Sequence, residues 1–217
     1  MASEQIENYL KNIYKLQSNE GKVTTSSLSE RLQVSPASVS EMIKKLAEEG
    51  SLTHTPYKGV ELTEEGKKLA LRIIRKHRLW EMFLAEVLHF GWDEIDQEAE
   101  RFEHVMSDKM EDKIDEVLGH PLIDPHGDPI PTKEGKIKYE IGSPLSKANE
   151  GTTVRVLRVS DSNSEMLQYV SSIGISLNKN IFIKQKMSFD NSMLVMINSK
   201  EINISSTIAE NIFVENI

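Results

Sequence analysis

The most constraining feature of the sequence is the Ser35-Pro36 pair, which marks the start of a helix. Ser35 suits the N-cap position, and Pro36 suits the first helical position, where a backbone N–H is not needed. Gly50 then supplies a stop signal. Between them, the apolar residues have the i, i+3, i+4, i+7 spacing of a buried helix face: Val39, Met42, Ile43 and Leu46. We predict a third helix with one apolar face here.

Two helical patterns precede this helix and a hairpin pattern follows it. The apolar face of the first helix comprises Ile6, Tyr9, Leu10, Ile13 and Leu16. We expect this helix to end before the turn at residues 18–21, and a short second helix to be capped by Thr24 or Thr25. Two short strands are expected at residues 52–54 and 60–62, separated by turn residues. Helix, helix, capped helix and hairpin predict a winged helix-turn-helix over residues 1–63.

The outward face of the third helix is the candidate nucleic-acid contact. Small and hydroxylic residues at a helix start let the backbone approach base edges, and lysines can contact phosphates. The candidate DNA-binding residues are Ser35, Pro36, Ala37, Ser38, Ser40, Glu41, Lys44 and Lys45, with Lys58 in the wing. The alternative is a solvated helix face in a winged helix that binds another protein.

The rest of the chain indicates a helical region and then a small β domain. A long helix is expected to begin at residues 63–65, to have an apolar pattern through Leu84 and to end at Gly91. A second helix is expected with Ile95, Ala99, Phe102 and Met106 on one face, and a third that ends at Gly119. We expect the three to pack as one unit. Residues 120–149 resemble a long tether rich in Pro, Gly and Lys. Short strands around one helix then predict a β-barrel. The expected domains are a helical metal-binding and dimerisation domain with its tether at 64–140 and a barrel at 150–217.

Acidic residues and histidines are concentrated in the middle of the chain. Residues 76–140 contain 17 Asp and Glu against 8 Lys and Arg, and five of the six histidines, whereas residues 1–75 are close to neutral. Self-repulsion among these carboxylates is relieved either by solvent or by a bound cation, which makes this region the first place to search for a metal site. The chain has no cysteine, no targeting segment and no run of 18 apolar residues, which favours a cytoplasmic protein whose metal ligands are oxygen, nitrogen or thioether.

Two groups of residues in this region have the spacing of metal ligands that share one helix face. His77 and Glu81 are one helical turn apart, and Asp96, Glu100, Glu103 and His104 form a second stripe. Oxygen and imidazole donors suit Mn²⁺, with Fe²⁺ as the alternative, and other divalent transition metals can bind such sites in vitro. Each carboxylate alone is equally typical of a solvated acidic face, and His77 alone is typical of a core histidine. His54, His89, His120 and His126 are assigned no role.

These motifs together resemble the diphtheria toxin repressor family of metal-dependent transcription regulators, particularly its manganese-responsive branch. The segments that carry the resemblance are Arg75-Lys76-His77-Arg78-Leu79, Glu98-Ala99-Glu100, the run from Glu103 to Asp108, and the run from His126 to Pro131. The resemblance covers the chain from the winged helix to the C-terminal domain. It implies a mainly α fold with a small β domain: an N-terminal winged helix-turn-helix, a helical dimerisation domain and a C-terminal SH3-like, FeoA-like barrel.

The resemblance also implies two metal-ligand sets. One comprises His77, Glu81, Asp96 and Asp161, and the other comprises Asn8, Glu100, Glu103 and His104. Position 100 is a cysteine in iron-responsive members, so Glu100 favours Mn²⁺. Asp96 stands where many relatives have His, Asn8 where they have Met or Asp, and Lys11 where some manganese regulators have an acid.

The function implied is a homodimeric repressor with Mn²⁺ or Fe²⁺ as corepressor on a palindromic operator of metal-uptake genes. Two recognition helices would enter successive major grooves, about 34 Å or a multiple apart. Metal activation should weaken below about pH 6, because a ligand histidine must be neutral. Neither a membrane nor a small organic substrate is expected as a partner. A metal-independent winged-helix regulator is the alternative. A di-metal enzyme is disfavoured, because such enzymes have a Glu-x-x-His pair on each of two helices and this sequence has a single Glu100-x-x-Glu103-His104 instead.

Overall fold

The structure, a computed structural model, describes residues 3–55, 59–138, 142–161 and 163–217, without the side chains of residues 19 and 20. The helices are α1 Glu4–Glu20, α2 Thr25–Leu32, α3 Pro36–Glu48, α4 Glu64–Glu86, α5 Ile95–Phe102, α6 Asp108–Val117, α7 Ser164–Ser172 and α8 Ser206–Glu210. The strands are β1 Leu52–Thr55, β2 Gly59–Leu62, β3 Ser143–Pro144, β4 Thr153–Val159, β5 Asn180–Lys186, β6 Met193–Ile197, β7 Lys200–Ile204 and β8 Ile212–Asn216. Within these ranges no helix is long and apolar enough to cross a membrane.

The chain divides into two compact units. The first comprises residues 1–77, 102–111 and 131–137, and the second comprises residues 78–101, 112–130 and 138–217. The three middle helices were expected to pack as one unit, but α5 falls mainly in the second unit and α6 is divided at Glu111. The predicted limits at 63, 140 and 150 stay predictions.

The first unit is built on α1, α2, α3 and the β1–β2 hairpin. The two strands pair antiparallel from Leu52 opposite Leu62 to Thr55 opposite Gly59, and Val23 bridges to Val60 on the other side of β2. The core contains the predicted apolar faces of α1 and α3, packed with Leu28, Leu52 and Val60. Helix α1 extends through residues 18–20, so its expected earlier end was wrong: Gly21, at φ +74°, closes the helix by donating to the Gln17 carbonyl.

The second unit contains a six-stranded antiparallel sheet in the order β3-β8-β4-β5-β6-β7. Its core is filled by alternate apolar residues of the strands, because successive side chains of a strand point to opposite faces. Two expectations need correction here. Helix α5 ends at Phe102, so Met106 lies beyond it. The expected tether is ordered in part, since residues 126–130 are buried and β3 pairs with β8.

Candidate functional site

The predicted DNA-binding face lies on the exposed side of α3. All eight of its predicted residues on this helix and its cap are exposed, whereas Val39, Met42, Ile43 and Leu46 are buried. Lys58, the predicted wing contact, lies outside the described residues. The separation of the two faces follows from the helical period and leaves the predicted contact residues of α3 and its cap accessible.

The start of α3 is fixed by Ser35. Its hydroxyl oxygen accepts a hydrogen bond from the Ser38 backbone N–H at 3.1 Å, and the two hydroxyl groups are 2.9 Å apart. Pro36 occupies the first turn. One turn on, the Ser40 hydroxyl donates to the Pro36 carbonyl at 2.9 Å. The first turn therefore presents small exposed side chains on a rigid cap, which suits close approach to a DNA groove.

A buried polar loop in the second unit forms the first candidate metal centre. One carboxylate oxygen of Asp124 accepts hydrogen bonds from the backbone N–H groups of His126 and Asp128, both at 2.9 Å. Between them, Gly127 has φ +91°, and a Cβ there would lie 2.1 Å from the Leu157 carbonyl oxygen. The Val159 N–H also donates to the His126 carbonyl at 2.9 Å. These contacts fix the loop against β4 and bury the His126 side chain completely.

The two ring nitrogens of His126 differ in their hydrogen bonding: Nε2 has a partner, and Nδ1 has none among the described residues. Its Nε2 lies 2.9 Å from the Trp92 carbonyl oxygen, which can only accept, so Nε2 carries the proton. In the neutral ring the lone pair is then on Nδ1, which is buried and has no hydrogen-bond partner within the described part of the chain. The nearest charged group is the Glu81 carboxylate, with Oε1 at 3.6 Å. A carbonyl on one imidazole nitrogen and a lone pair on the other is the usual arrangement of a histidine metal ligand.

The charges around Glu81, Asp124 and His126 favour the binding of a cation in addition to the two arginines. The buried carboxyl groups of Glu81, Asp124 and Asp128 face the guanidinium groups of Arg78 and Arg158. Burial, together with the charges of Glu81 and Asp128, raises the pKa of Asp124 well above its ordinary value despite the attraction of Arg78. The pKa of Arg78 is also raised: burial opposes the shift, but Asp128, Asp124, Glu81 and Asp161 outweigh it. Both shifts indicate surplus negative charge, which a bound divalent cation would neutralise.

Four predicted ligands belong to the same unit as this loop: Glu81, Asp96, Glu100 and Asp161. A carboxylate oxygen of Asp96 lies within 4.8 Å of one of Glu81, so these two side chains are close enough to share an ion. Asp161 is half-buried and contributes to the negative charge felt by Arg78. Glu100 is exposed on α5. His77, although one turn from Glu81 on α4, directs its Nδ1 to Glu103, at 2.5 Å from Oε2.

The other predicted ligands lie in the first unit and contact one another. Glu103 is fully buried between His77 and Lys11, and its pKa is lowered: burial opposes the shift, but His77 and Lys11 outweigh it. His104 contacts Glu7 and Asn8 through its two ring nitrogens. The predicted residues Asn8, Glu103 and His104 are thus close together, with Lys11 as an additional member.

Asp124 and His126 were missed by the sequence analysis, which treated residues 120–149 as a tether and gave His126 no role. A signal was present, since Asp124, His126 and Asp128 alternate around Gly127 between prolines. Closely spaced carboxylates and imidazole at a glycine turn are typical of a ligand-bearing loop.

Family models match all three parts of the chain. Residues 1–60 match the N-terminal DNA-binding domain of iron-dependent repressors, and residues 63–132 match the metal-binding and dimerisation domain of the same proteins. Residues 143–216 match the FeoA domain. These matches confirm the predicted fold class, with a winged helix-turn-helix, a helical dimerisation domain and an SH3-like β domain.

Individual relatives agree with this assignment. The iron-dependent repressor IdeR of Mycobacterium tuberculosis is 36% identical over 150 residues, which is 69% of this chain and 64% of the relative. The chain therefore aligns with less than two thirds of the length of that curated relative. A manganese-dependent transcriptional repressor, solved in complex with manganese, is 39% identical over 97% of this chain and 99% of its own, with a TM-score of 0.91. ScaR with bound Zn²⁺ is 35% identical over 98% of this chain and 99% of its own, with a TM-score of 0.86.

The family consists of transcriptional repressors and not of enzymes. The resemblance stated from the sequence is confirmed, because similarity at this level extends over nearly the whole chain. The chain belongs to the diphtheria toxin repressor family of metal-dependent transcriptional regulators.

Proposed function

We propose that the protein is a homodimeric, metal-dependent transcriptional repressor that uses Mn²⁺ as corepressor, with Fe²⁺ as the alternative. The observation that carries the proposal is the buried Nδ1 of His126, directed toward Glu81 and without a hydrogen-bond partner within the described residues. The relatives are named for manganese or iron, and their domain matches include DNA binding and dimerisation.

The proposed ligands are Glu81, Asp124 and His126. Asp96 and Asp161, which are in the same unit, and His77, one turn before Glu81 on α4, stay as predicted ligands. Carboxylate oxygens with one imidazole nitrogen suit Mn²⁺ better than metals that prefer thiolate. The Nδ1 of His126 is buried without a hydrogen-bond partner among the described residues, which supports its assignment as a ligand.

The chain's own residues connect this centre to the fold. Glu81 lies on α4, and His126 lies on the loop that hydrogen-bonds to Val159 of β4. A bound divalent cation supplies positive charge that holds the Glu81 and His126 side chains together and relieves the repulsion between Glu81 and Asp124. Ligands on both the helix and the loop would restrict motion of one against the other. A coupling of about 1–3 kcal/mol between metal and DNA binding corresponds to about 5- to 150-fold regulation.

The proposed partner is duplex DNA with a palindromic operator, in keeping with a two-fold dimer. The exposed residues at the start of α3 would contact base edges and phosphates, with Lys44 and Lys45 as phosphate contacts. Operators of metal-uptake genes are the proposed targets, and the cytoplasm is the proposed location.

The experiment begins by selecting duplexes from a random pool with the full-length protein in Mn²⁺. Fluorescence anisotropy then measures affinity for the selected duplex in Mn²⁺, Fe²⁺, Zn²⁺ and chelator, with a scrambled duplex as control. We expect Mn²⁺ to tighten binding to the selected duplex by about 5- to 150-fold. Affinity indifferent to every metal would reject the corepressor role and favour a metal-independent winged-helix regulator.

Two variants distinguish the residues that bind the operator from those that bind Mn²⁺. Ala37→Glu places a negative charge on the exposed start of α3 and should abolish operator binding while leaving Mn²⁺ binding unchanged. His126→Ala should weaken Mn²⁺ binding and its effect on DNA affinity, but leave the weak metal-free DNA affinity in place. His120→Ala is the matched control, because His120 is exposed and pairs with Asp115.

A further inference from the structure

The carboxylate of Glu103 is held between two internal donors. Lys11 Nζ lies 2.6 Å from Oε1, and His77 Nδ1 lies 2.5 Å from Oε2. The three side chains are at most 3% exposed. Lys11 comes from α1 and His77 from α4, so both oxygens of the carboxylate are engaged by groups fixed on helices of the first unit.

The imidazole of His104 is engaged on both sides as well. Its Nδ1 lies 2.7 Å from Glu7 Oε2, and its Nε2 lies 3.0 Å from Asn8 Oδ1 and 3.2 Å from Glu103 Oε1. Each ring nitrogen of His104 therefore has a polar neighbour within hydrogen-bond distance. The ring of His126 differs, because its buried Nδ1 has no hydrogen-bond partner among the described residues.

We infer that the Lys11 ammonium group takes the place of a divalent cation in the cluster of Asn8, Glu103 and His104. An ammonium group within hydrogen-bond distance of a buried carboxylate supplies the positive charge that the carboxylate needs in a medium of low dielectric constant. A cation ligated by Glu103 would have to displace Lys11 and leave its charge buried without that partner. The ligand set that the resemblance implies at this position does not fit a metal while Lys11 pairs with Glu103, which leaves the Glu81 centre as the metal site that we propose among the described residues.

The inference uses the proposed metal centre only to set the number of ions, and its test is a count of ions and not a measurement of repression. Equilibrium dialysis of the full chain against Mn²⁺, followed by elemental analysis, should give one ion per native subunit. At a free Mn²⁺ concentration that just saturates the native subunit, His126→Ala should give little or none, because its affinity for Mn²⁺ is weakened. In the same His126→Ala background, Lys11→Glu removes the ammonium group and adds a carboxylate, and should bind one ion.

Lys11→Gln, which removes the charge without adding a ligand, is a second variant for the case that Lys11→Glu does not fold. In a metal-free buffer its melting temperature should fall, because Glu103 loses its cationic partner, and Mn²⁺ should raise it again in the His126→Ala background. Lys113→Gln is the matched control: Lys113 also lies 2.6 Å from a glutamate, but this pair is exposed. It should alter neither the ion count nor the response to Mn²⁺.

Two outcomes would overturn the inference. One is a second ion bound by the native subunit, or one ion bound by His126→Ala alone. The other is folded Lys11 variants that neither gain an ion nor respond to Mn²⁺ in melting experiments. A native chain that binds no ion at all would instead reject the proposed function, while a gain of one ion by Lys11→Glu would still support the inference.

Discussion

The indole ring of Trp92 stacks on the imidazole of His126, with ring centroids 5.4 Å apart and ring planes inclined by 21°. The indole N–H also donates to the Pro125 carbonyl at 3.1 Å, one residue before His126. Trp92 therefore holds the histidine from its face and through the adjoining backbone, while the Trp92 carbonyl accepts from the ring nitrogen Nε2. This arrangement orients the ring and sets its tautomer.

The stacking makes Trp92 a reporter of metal binding. The chain has two tryptophans, so Trp80→Phe leaves Trp92 as the single indole fluorophore. Titration with Mn²⁺ should quench its emission, because a paramagnetic ion would lie next to the stacked imidazole. His126→Ala in the same background should raise the apparent Kd for Mn²⁺ by at least about 10- to 100-fold. Replacement of a residue that only hydrogen-bonds to a metal ligand typically costs this much affinity. Quenching unchanged by His126→Ala would place the ion elsewhere.

The raised pKa of Asp124 predicts how the metal-free protein responds to pH. Burial, with Glu81 and Asp128 nearby, raises the folded-state pKa, whereas the unfolded chain keeps an ordinary value of about 3.9. The contribution of this group to stability is complete below the unfolded pKa and is lost as the pH rises through the folded pKa. Asp124→Asn removes the ionisation, so its metal-free form should lose less stability between acid and neutral pH in urea denaturation.

Asp190→Asn is a control of opposite sign for the same measurement. The backbone N–H and the hydroxyl of Ser192 donate to Asp190 and lower its pKa. The stability from Asp190 is present above its unfolded pKa and is lost as the pH falls through the folded value. A pH dependence of Asp124→Asn that matches the native chain would show that Asp124 does not titrate as expected.

The first unit was largely predictable because its signals are local. The Ser35-Pro36 start and the apolar period of α3 lie within one helix, and the strand pattern lies within one hairpin. The exposed face of α3 followed directly from its start and its apolar period. The end of α1 was missed because a turn-like composition at residues 18–20 does not prevent a helix from continuing to Gly21.

The proposed metal centre was harder to predict from the sequence, because its contacts are tertiary. Spacing places His77 and Glu81 on one face of α4, but it cannot show that His77 reaches Glu103, which is 26 residues away. His126 acquires a role only after the loop closes on the Leu157 carbonyl, which a side chain at Gly127 would prevent. Composition indicated the acidic region in which the candidate metal ligands lie. Which of its carboxylates are candidates depended on which ones the fold buries.

The N-cap of α3 should carry measurable stability. Ser35→Ala removes the hydroxyl that accepts from the Ser38 N–H, and should lower the free energy of unfolding by about 1 kcal/mol. Ser40→Ala is the matched control, because Ser40 lies within α3 and is exposed to solvent. This substitution should change the free energy of unfolding by less than about 0.5 kcal/mol. Chemical denaturation measures both variants. Equal losses from the two would show that the cap does not set the stability of this helix.

Exposed apolar side chains in the matched dimerisation domain predict where two subunits meet. Val117, at the end of α6, is 66% exposed, although it lies in the region that matches a dimerisation domain. Val117→Lys should favour the monomer, because a charge would replace an apolar group buried between subunits. Full burial of a valine contributes about 1.5–3 kcal/mol, so the dimer Kd should rise at least about tenfold in sedimentation equilibrium.

Lysine is chosen at position 117 because a positive charge at a helix C-terminus is favourable, so the monomer fold should be retained. Phe189→Lys is the control: Phe189 is 84% exposed and lies in the segment that matches the FeoA domain, outside the matched dimerisation region. It should leave the dimer Kd unchanged. A Val117→Lys protein that stays dimeric at the native Kd would exclude Val117 from the interface, because a buried lysine opposite an apolar surface could not be accommodated without a measurable loss of affinity.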